Sequence, residues 1–455
     1  MTRGALIFTA LVLAAFASPA RPNLLFLLTD DQRWDTLGTA GNAVIHTPHL
    51  DRLARDGTRF ANAFVTTSIC AVSRASIFSG QYARRHGVED FARTFTPAQW
   101  AETYPARLRA AGWRTGFIGK FGVGDAAAVA AMAKEFDYWR GRPGQGGLFV
   151  EPDDPTRTHA TARFGDEALE FLRTAPPGRP WCLSISFTAP HARDGQPREF
   201  FPTDPRDDHL FVTNPPPAPP LATDEAFRRL HPAVQRSEAR TRWERRFATP
   251  ERAQETRTDY ARLIAGVDRE VGRLRAALED LGMATNTVIV FTSDNGFYLG
   301  DRGLADKWFM HEESIRVPLL VADLRRPGRG RVCDELALNL DFAPTLLDYA
   351  GLSPSPGMQG RSLRPLVEGR RVRDWREEFF YEHHFNYGGR IPRSEGVRTA
   401  RWSWWRWLDE APPAEELYDL RRDPGQQHNL AADPRHRRTL EKLRGKRAEL
   451  RETLK

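Results

Sequence analysis

The sequence predicts an α/β fold built on a large, mostly parallel sheet flanked by helices, and three observations predict it. Short apolar runs of strand length recur along the 455 residues, helical patterns separate them, and several runs end in polar or charged residues. The runs are Asn23–Thr29 before Asp30-Asp31, Thr115–Gly119 before Lys120, Cys182–Phe187 before His191, and Val288–Thr292 before Asp294-Asn295. Segments apolar on both faces suit buried parallel strands. Helices are read between them over His49–Asp56, Ala101–Ala111 and Tyr260–Leu281, the last with Leu263, Val267, Val271, Leu274 and Leu278 near helical spacing. Strand alternating with helix argues a doubly wound domain, whose ligand crevice opens beyond the carboxyl ends of the strands. Four independent runs deliver Asp, Asp, Lys, His, Asp and Asn to that one edge, so a site is expected there.

A chain that is 40% hydrophobic and 27% charged has the balance of a globular protein, with material for one large core and a smaller appendage. Disordered and fibrous classes are excluded. Residues 1–20 read as a secretory signal peptide: Arg3, an apolar run from Ala5 to Ala17, then small residues at Ser18 and Ala20. That run is short for a membrane span, so an exported, periplasmic or secreted protein without a stable span is expected. A main domain is placed over 21–367 and a small C-terminal α+β subdomain over 368–455. The latter carries aromatic-rich Phe379–Phe385 and Trp402–Trp407 and a helical tail, Arg435–Leu454. From Arg193 to Pro250 the chain turns Pro-rich and charged, a surface excursion placed at the substrate mouth.

The net charge of +7, or +6 once Arg3 leaves with the leader, favours anionic partners without identifying one. Basic residues are scattered among acids with no aromatic-interleaved stripe, so no nucleic-acid partner is expected. The three cysteines make no disulfide framework in a chain of this size. Cys182 reads as core and Cys333 flanks a basic turn. Only Cys70 has a chemical setting.

Cys70-Ala71-Val72-Ser73-Arg74 leads into a helix over Ala75–Ser79 that Gly80 stops. A group at a helix N-terminus faces free N–H donors, a natural seat for an anionic ester, and Arg74, four residues on, shares the face. An isolated Cys is equally a buried hydrophobe. Asp30-Asp31 and Asp294-Asn295 offer an all-oxygen ligand set that suits Ca²⁺ or Mg²⁺ rather than zinc. Lys120 and Lys307 sit in tight Gly-rich contexts, and His191, after Ala189-Pro190, is placed to donate a proton to a leaving oxygen.

Together these segments resemble the type I, formylglycine-dependent sulfatases of the alkaline phosphatase superfamily. The motifs that carry the resemblance run along nearly the whole chain. They are Arg21-Pro22-Asn23 to Asp31, Thr47–Ala54, Cys70–Gly80, Gly119-Lys120, Ala189-Pro190-His191, Ile264–Asp268, Thr292–Gly296, the Lys307 segment to Pro318, Asp341–Leu347, and Glu416–Leu420 with Asp423-Pro424. The resemblance implies an alkaline-phosphatase-like fold and hydrolysis of a sulfate ester, with a sulfated carbohydrate or another organic sulfate ester as substrate. It implies that a formylglycine-forming enzyme oxidises Cys70, and that one hydroxyl of the hydrated aldehyde attacks sulfur while the other later expels sulfate. Asp30, Asp31, Asp294 and Asn295 would hold Ca²⁺ or Mg²⁺. Arg74, Lys120 and Lys307 would balance the sulfuryl charge, and His191 with Lys307 would assist the leaving oxygen. A silent binder of sulfated polymers and a phosphoester hydrolase are the alternatives.

Three positions depart from the family pattern. Val72 stands where Pro or Ala is usual, Gly122 where a histidine commonly helps eliminate sulfate, and Arg302 where a turn often carries His. His86, His311, His383 and His384 are the candidates for a substitute base. Tyr381, His383, His384, Tyr387 and Arg390 are candidates to line a wide mouth.

Overall fold

The computed structural model describes residues 21–144, 158–194, 200–328 and 330–455. The expected leader over 1–20 lies outside the described residues. Eight strands form the main sheet: β1 Asn23–Thr29, β2 Thr58–Phe60, β3 Arg114–Lys120, β4 Tyr138–Arg142, β5 Trp181–Ser186, β6 Thr287–Ser293, β7 Leu319–Asp323 and β8 Arg331–Cys333. Their spatial order is β8-β2-β7-β6-β1-β5-β3-β4. The run from β6 through β1, β5 and β3 to β4 is parallel, as is β2 with β8, and β7 is antiparallel to both its neighbours.

The central strands are apolar on both sides because both sides are covered. Leu24, Phe26, Val288 and Val290 face one core, which includes α2 Cys70–Ser79, α3 Tyr104–Ala110 and α7 Phe342–Tyr349. Leu25, Leu27, Ile289 and Phe291 face the other, with α1 Pro48–Asp56, α4 Ala160–Arg173 and α6 Pro250–Asp280. Period-two alternation between two buried faces is what a doubly wound sheet requires. The helix expected over Tyr260–Leu281 begins ten residues earlier in the structure, at Pro250, capped by the Thr249 side chain accepting from Arg252 N–H.

A second, antiparallel sheet is formed by β9 Glu378–His383, β10 Ser394–Thr399, β11 Trp402–Trp407 and β12 Glu415–Asp419. The C-terminal helix α8, Arg437–Thr453, covers it through Leu440 and Leu443. The excursion after Arg193 carries short helices and α5, Glu238–Arg246. No helix among the described residues is long and apolar enough to cross a membrane.

Candidate active site

Parallel pairing brings the carboxyl ends of β1, β6, β5 and β3 level. Thr29 is in register with Ser293, Leu28 with Ser186, and Ser186 with Gly119. Each strand therefore hands its next residues to one edge: Asp30-Asp31, Asp294-Asn295, and Lys120 at the end of β3. The turn at Asp31 is left-handed (φ 65°). Its carbonyl accepts from the Tyr260 hydroxyl at 2.7 Å, and the same oxygen of Tyr260 accepts from Arg33 N–H at 3.0 Å. Tyr260 thus braces the turn from α6, a role hidden in the sequence because it lies on the apolar stripe.

Cys70 is the first residue of α2, a helix buried along all ten residues. Its thiol lies 3.6 Å from Asp30 Oδ1. Ligand-type atoms of Asp30, Asp31, Cys70 and His191 fall within 4.8 Å of one another. Asp294 stands behind this group, its Oδ1 accepting from Asp31 N–H at 3.2 Å and its Oδ2 from Arg74 Nε at 2.8 Å. Asn295 donates its amide N–H to Asp31 Oδ1. The eight residues singled out at the sheet edge and on α2 are brought together with Lys307, each of them buried.

Three cations are tied to the three carboxylates. Lys120 Nζ meets Asp30 Oδ2 at 2.5 Å, Lys307 Nζ meets Asp31 at 2.6 and 2.7 Å, and Arg74 bridges Asp30 at 3.2 Å and Asp294. Burial works to raise every carboxylate here. At Asp30 the field of Lys120, His191 and Arg74 overrides it and holds the group well below the usual range. At Asp31 burial wins, helped by Asp30 and Asp294, and the carboxyl is pushed up to about 8 despite Lys307. Asp294 is likewise raised by burial and by Asp30. Burial and the Asp30 charge push the Cys70 thiol up to about 12, so an unmodified thiol stays protonated and is a poor nucleophile. His191 is lowered to about 4 by burial and Lys307 and is neutral at pH 7. Its Nδ1 faces the Ala192 carbonyl at 2.5 Å, so Nδ1 carries the hydrogen and Nε2, 3.5 Å from Asp31 Oδ2, is an acceptor.

The donor set fits a hard divalent ion. Asn295 Oδ1 is buried without a partner among the described residues, and Asp31 and Asp294 are both raised by burial and by the neighbouring carboxylate charge, an effect that a bound cation would offset. An orphaned amide oxygen beside clustered carboxylates is the chemistry of a Ca²⁺ or Mg²⁺ seat.

A cleft of about 560 Å³ opens over the site, with Cys70, His191 and Lys307 on its floor. Its walls include Phe91, Arg193, Asp194, Phe200, Glu238, Arg242, Arg245, Arg246, Trp308, Phe385, Tyr387 and Arg390. The excursion after Arg193 does shape this mouth. Of the second-subdomain candidates, Tyr387 and Arg390 line it. Tyr381 instead donates to the Trp308 carbonyl from the core, and His383 is buried against Phe385 O. His384 sits between Glu89 and Glu395.

None of the four candidate substitute bases reaches the floor. His86 is held against Ser76 Oγ at 3.1 Å and His311 against the Tyr298 hydroxyl at 2.5 Å, both buried away from the cleft, and His383 and His384 are engaged as above. Gly122 has φ 74°, and a β-carbon there would lie 2.5 Å from Arg74 Cδ. The Arg74 side chain thus fills the space that a side chain at residue 122 would need. Arg302, the third departure, is structural: buried at φ 56°, it pairs with Glu313 at 3.1 Å and donates to the Gln426 carbonyl at 3.1 Å.

Sequence reasoning missed the network beside Lys307. Asp306, left-handed at φ 65°, binds Arg242 at 2.8 Å and Arg246 at 3.0 Å, and both arginines also hold Asp194. No spacing signal links residues 64 positions apart; only the i, i+4 arginines of α5 hint at a shared face.

A sheet that delivers acids, lysines and an amide to one edge, opposite the N-terminus of a buried helix, defines a hydrolase of anionic esters. The comparisons specify the class. The sulfatase family model matches residues 22–352, and the C-terminal model of N-sulphoglucosamine sulphohydrolase matches 300–453. An N-acetylglucosamine-6-O-sulfatase from Bacteroides thetaiotaomicron is 30% identical, the alignment covering 92% of this chain and 85% of that protein. An arylsulfatase from Clostridium perfringens is 26% identical over 93% of both. A solved structure in complex with its substrate D-glucosamine-2-N,6-O-disulfate superposes with a TM-score of 0.80 at 26% identity, covering 95% of this chain and 98% of that one. A phosphonate monoester hydrolase of Agrobacterium radiobacter shares the fold, with a TM-score of 0.80 at 24% identity and 96% coverage of both. The chain belongs to the sulfatase family, with the alkaline-phosphatase-like fold, and is a sulfuric ester hydrolase.

Proposed function

We propose that the substrate is a sulfated carbohydrate and that Cys70, converted to formylglycine by a formylglycine-forming enzyme, is the nucleophile. The observation that carries this reading is Cys70 at the start of α2, on the cleft floor and within 4.8 Å of Asp30, Asp31 and His191. A thiol held near pKa 12 would be inert there, whereas a hydrated aldehyde offers hydroxyls at the same point. Asp30, Asp31, Asp294 and Asn295 would hold a Ca²⁺ or Mg²⁺ ion, which when bound supplies positive charge against the sulfuryl oxygens.

The remaining steps belong to the chain's own groups. Arg74 and Lys120, fixed on Asp30 and Asp294, keep positive charge where negative charge builds in the transition state. Lys307, raised well above its ordinary pKa by Asp31 against the opposing effect of burial, carries a proton at neutral pH and hands it to the leaving oxygen. His191 Nε2, an acceptor, takes a hydrogen bond from a hydroxyl of the substrate and so helps orient it. The names of two similar proteins, an N-acetylglucosamine-6-O-sulfatase and one bound to a glucosamine disulfate, support a sugar substrate, as do the aromatic walls of the cleft. The division into a leader over 1–20, a catalytic domain over 21–367 and a subdomain over 368–455, with export, belongs to the same reading.

Mass spectrometry of the tryptic peptide Phe60–Arg74 from protein made in its native host tests it. The aldehyde or its hydrate at Cys70 is expected, with sulfate release lost in Cys70→Ala. An unmodified thiol in an active enzyme would overturn the assignment of the nucleophile.

A further inference from the structure

On the floor each cation has a carboxylate partner. Three carboxylates, Asp30, Asp31 and Asp294, face three cations, Lys120, Lys307 and Arg74. The wall is different. Five guanidiniums, Arg193, Arg242, Arg245, Arg246 and Arg390, stand against three carboxylates, Asp194, Glu238 and Asp306. Arg242 and Arg246 are committed to Asp194 and Asp306, with Arg242 also on Glu238 at 3.0 Å. Arg390 is committed to Glu238 at 2.9 Å and stacks on Tyr387 at 4.1 Å. Arg193 and Arg245 make no ion pair among the described residues. Among the described residues the wall therefore carries two guanidiniums without a carboxylate partner.

We propose that this wall is a second anion subsite, in which Arg193 and Arg245 hold a further sulfate or carboxylate of the substrate while the scissile sulfate lies on the floor. The proposal rests on the carbohydrate-sulfate reading and narrows it to saccharides with at least two anionic groups. A guanidinium presents a planar fork matched to either anion. The cleft volume of about 560 Å³ exceeds what one sulfate fills and falls in the range of small-molecule sites.

The test compares N-acetylglucosamine 6-sulfate with glucosamine 2-N,6-O-disulfate in the wild type and in Arg193→Ala and Arg245→Ala. The ratio of kcat/KM, disulfate over monosulfate, is expected to fall by about tenfold in each variant, carried by KM. An equal loss on both sugars, or no loss, would overturn the subsite. A 6-sulfated disaccharide bearing a uronate separates the anions: a fall in its ratio alone assigns the subsite to carboxylate. Calorimetric binding of the disulfate covers the case in which no sugar is turned over. There the carbohydrate reading fails on turnover, while weaker binding in both variants supports the subsite and unchanged binding removes it.

Discussion

Replacing Gly122 with Ala strikes the site through geometry alone. At φ 74° an alanine costs about 1 kcal/mol of backbone strain. Its β-carbon would lie 2.5 Å from Arg74 Cδ and 3.1 Å from Nε, closer than side chains tolerate. Arg74 has no slack with which to retreat. It donates to Asp294 at 2.8 Å, to the Lys120 carbonyl at 2.6 Å, to Asp30 at 3.2 Å and to Ser186 Oγ, on a helix buried along its length. Weakening one such charge-assisted bond costs about 2 kcal/mol, giving a loss of about 3 kcal/mol in stability. A guanidinium displaced by a fraction of an ångström also leaves the sulfuryl oxygens unmatched, and a fall of about a hundredfold in kcat/KM is expected. Aryl sulfate hydrolysis and the urea midpoint, measured on the same preparation, read both effects. Wild-type activity together with a wild-type midpoint would refute the claim that Arg74 is pinned against this glycine.

Asp294→Ala is expected to lower turnover by at least about a thousandfold and to reduce the Ca²⁺ or Mg²⁺ recovered with the purified protein. Full metal content with full turnover would take Asp294 out of the ligand set. A pH effect on stability follows from His86 and His383, which burial lowers to about 3. The unfolded chain takes up these protons near pH 6.5 and the folded chain does not. Their contribution is therefore intact above pH 6.5 and is lost as pH falls toward 3. Each removes about 2 kcal/mol between pH 6.5 and 5.0. Urea unfolding at the two pH values should show the drop, and His86→Gln should shrink it by about 2 kcal/mol; an identical drop in the variant would exclude His86 as a source.

What was legible in the sequence is what strand chemistry writes locally. Asp30-Asp31 and Asp294-Asn295 follow apolar runs directly, and parallel pairing then brings them together without further instruction. Cys70 and Arg74 share a helix face by spacing alone. Contacts set by tertiary packing were not legible. Tyr260 resembles the core residues around it until its hydroxyl is found on the Asp31 turn. Asp306 and α5 meet only because the excursion after Arg193 folds back over the sheet edge. The histidines offered in place of one at Gly122 illustrate the limit: composition supplied four, and packing buried or engaged each of them elsewhere.

The burial of α2 sets an order of events in the life of the chain. Every residue from Cys70 to Ser79 is enclosed, and Cys70 itself is 1% exposed. The cleft admits a small substrate to the thiol, but another protein cannot grip the segment around it once the core has closed. Any enzymatic oxidation of Cys70 must reach residues 70–74 while they are still extended. The share of active molecules is then decided by a race between the modifying enzyme and hydrophobic collapse, and a molecule that folds first keeps its thiol for as long as it stays folded.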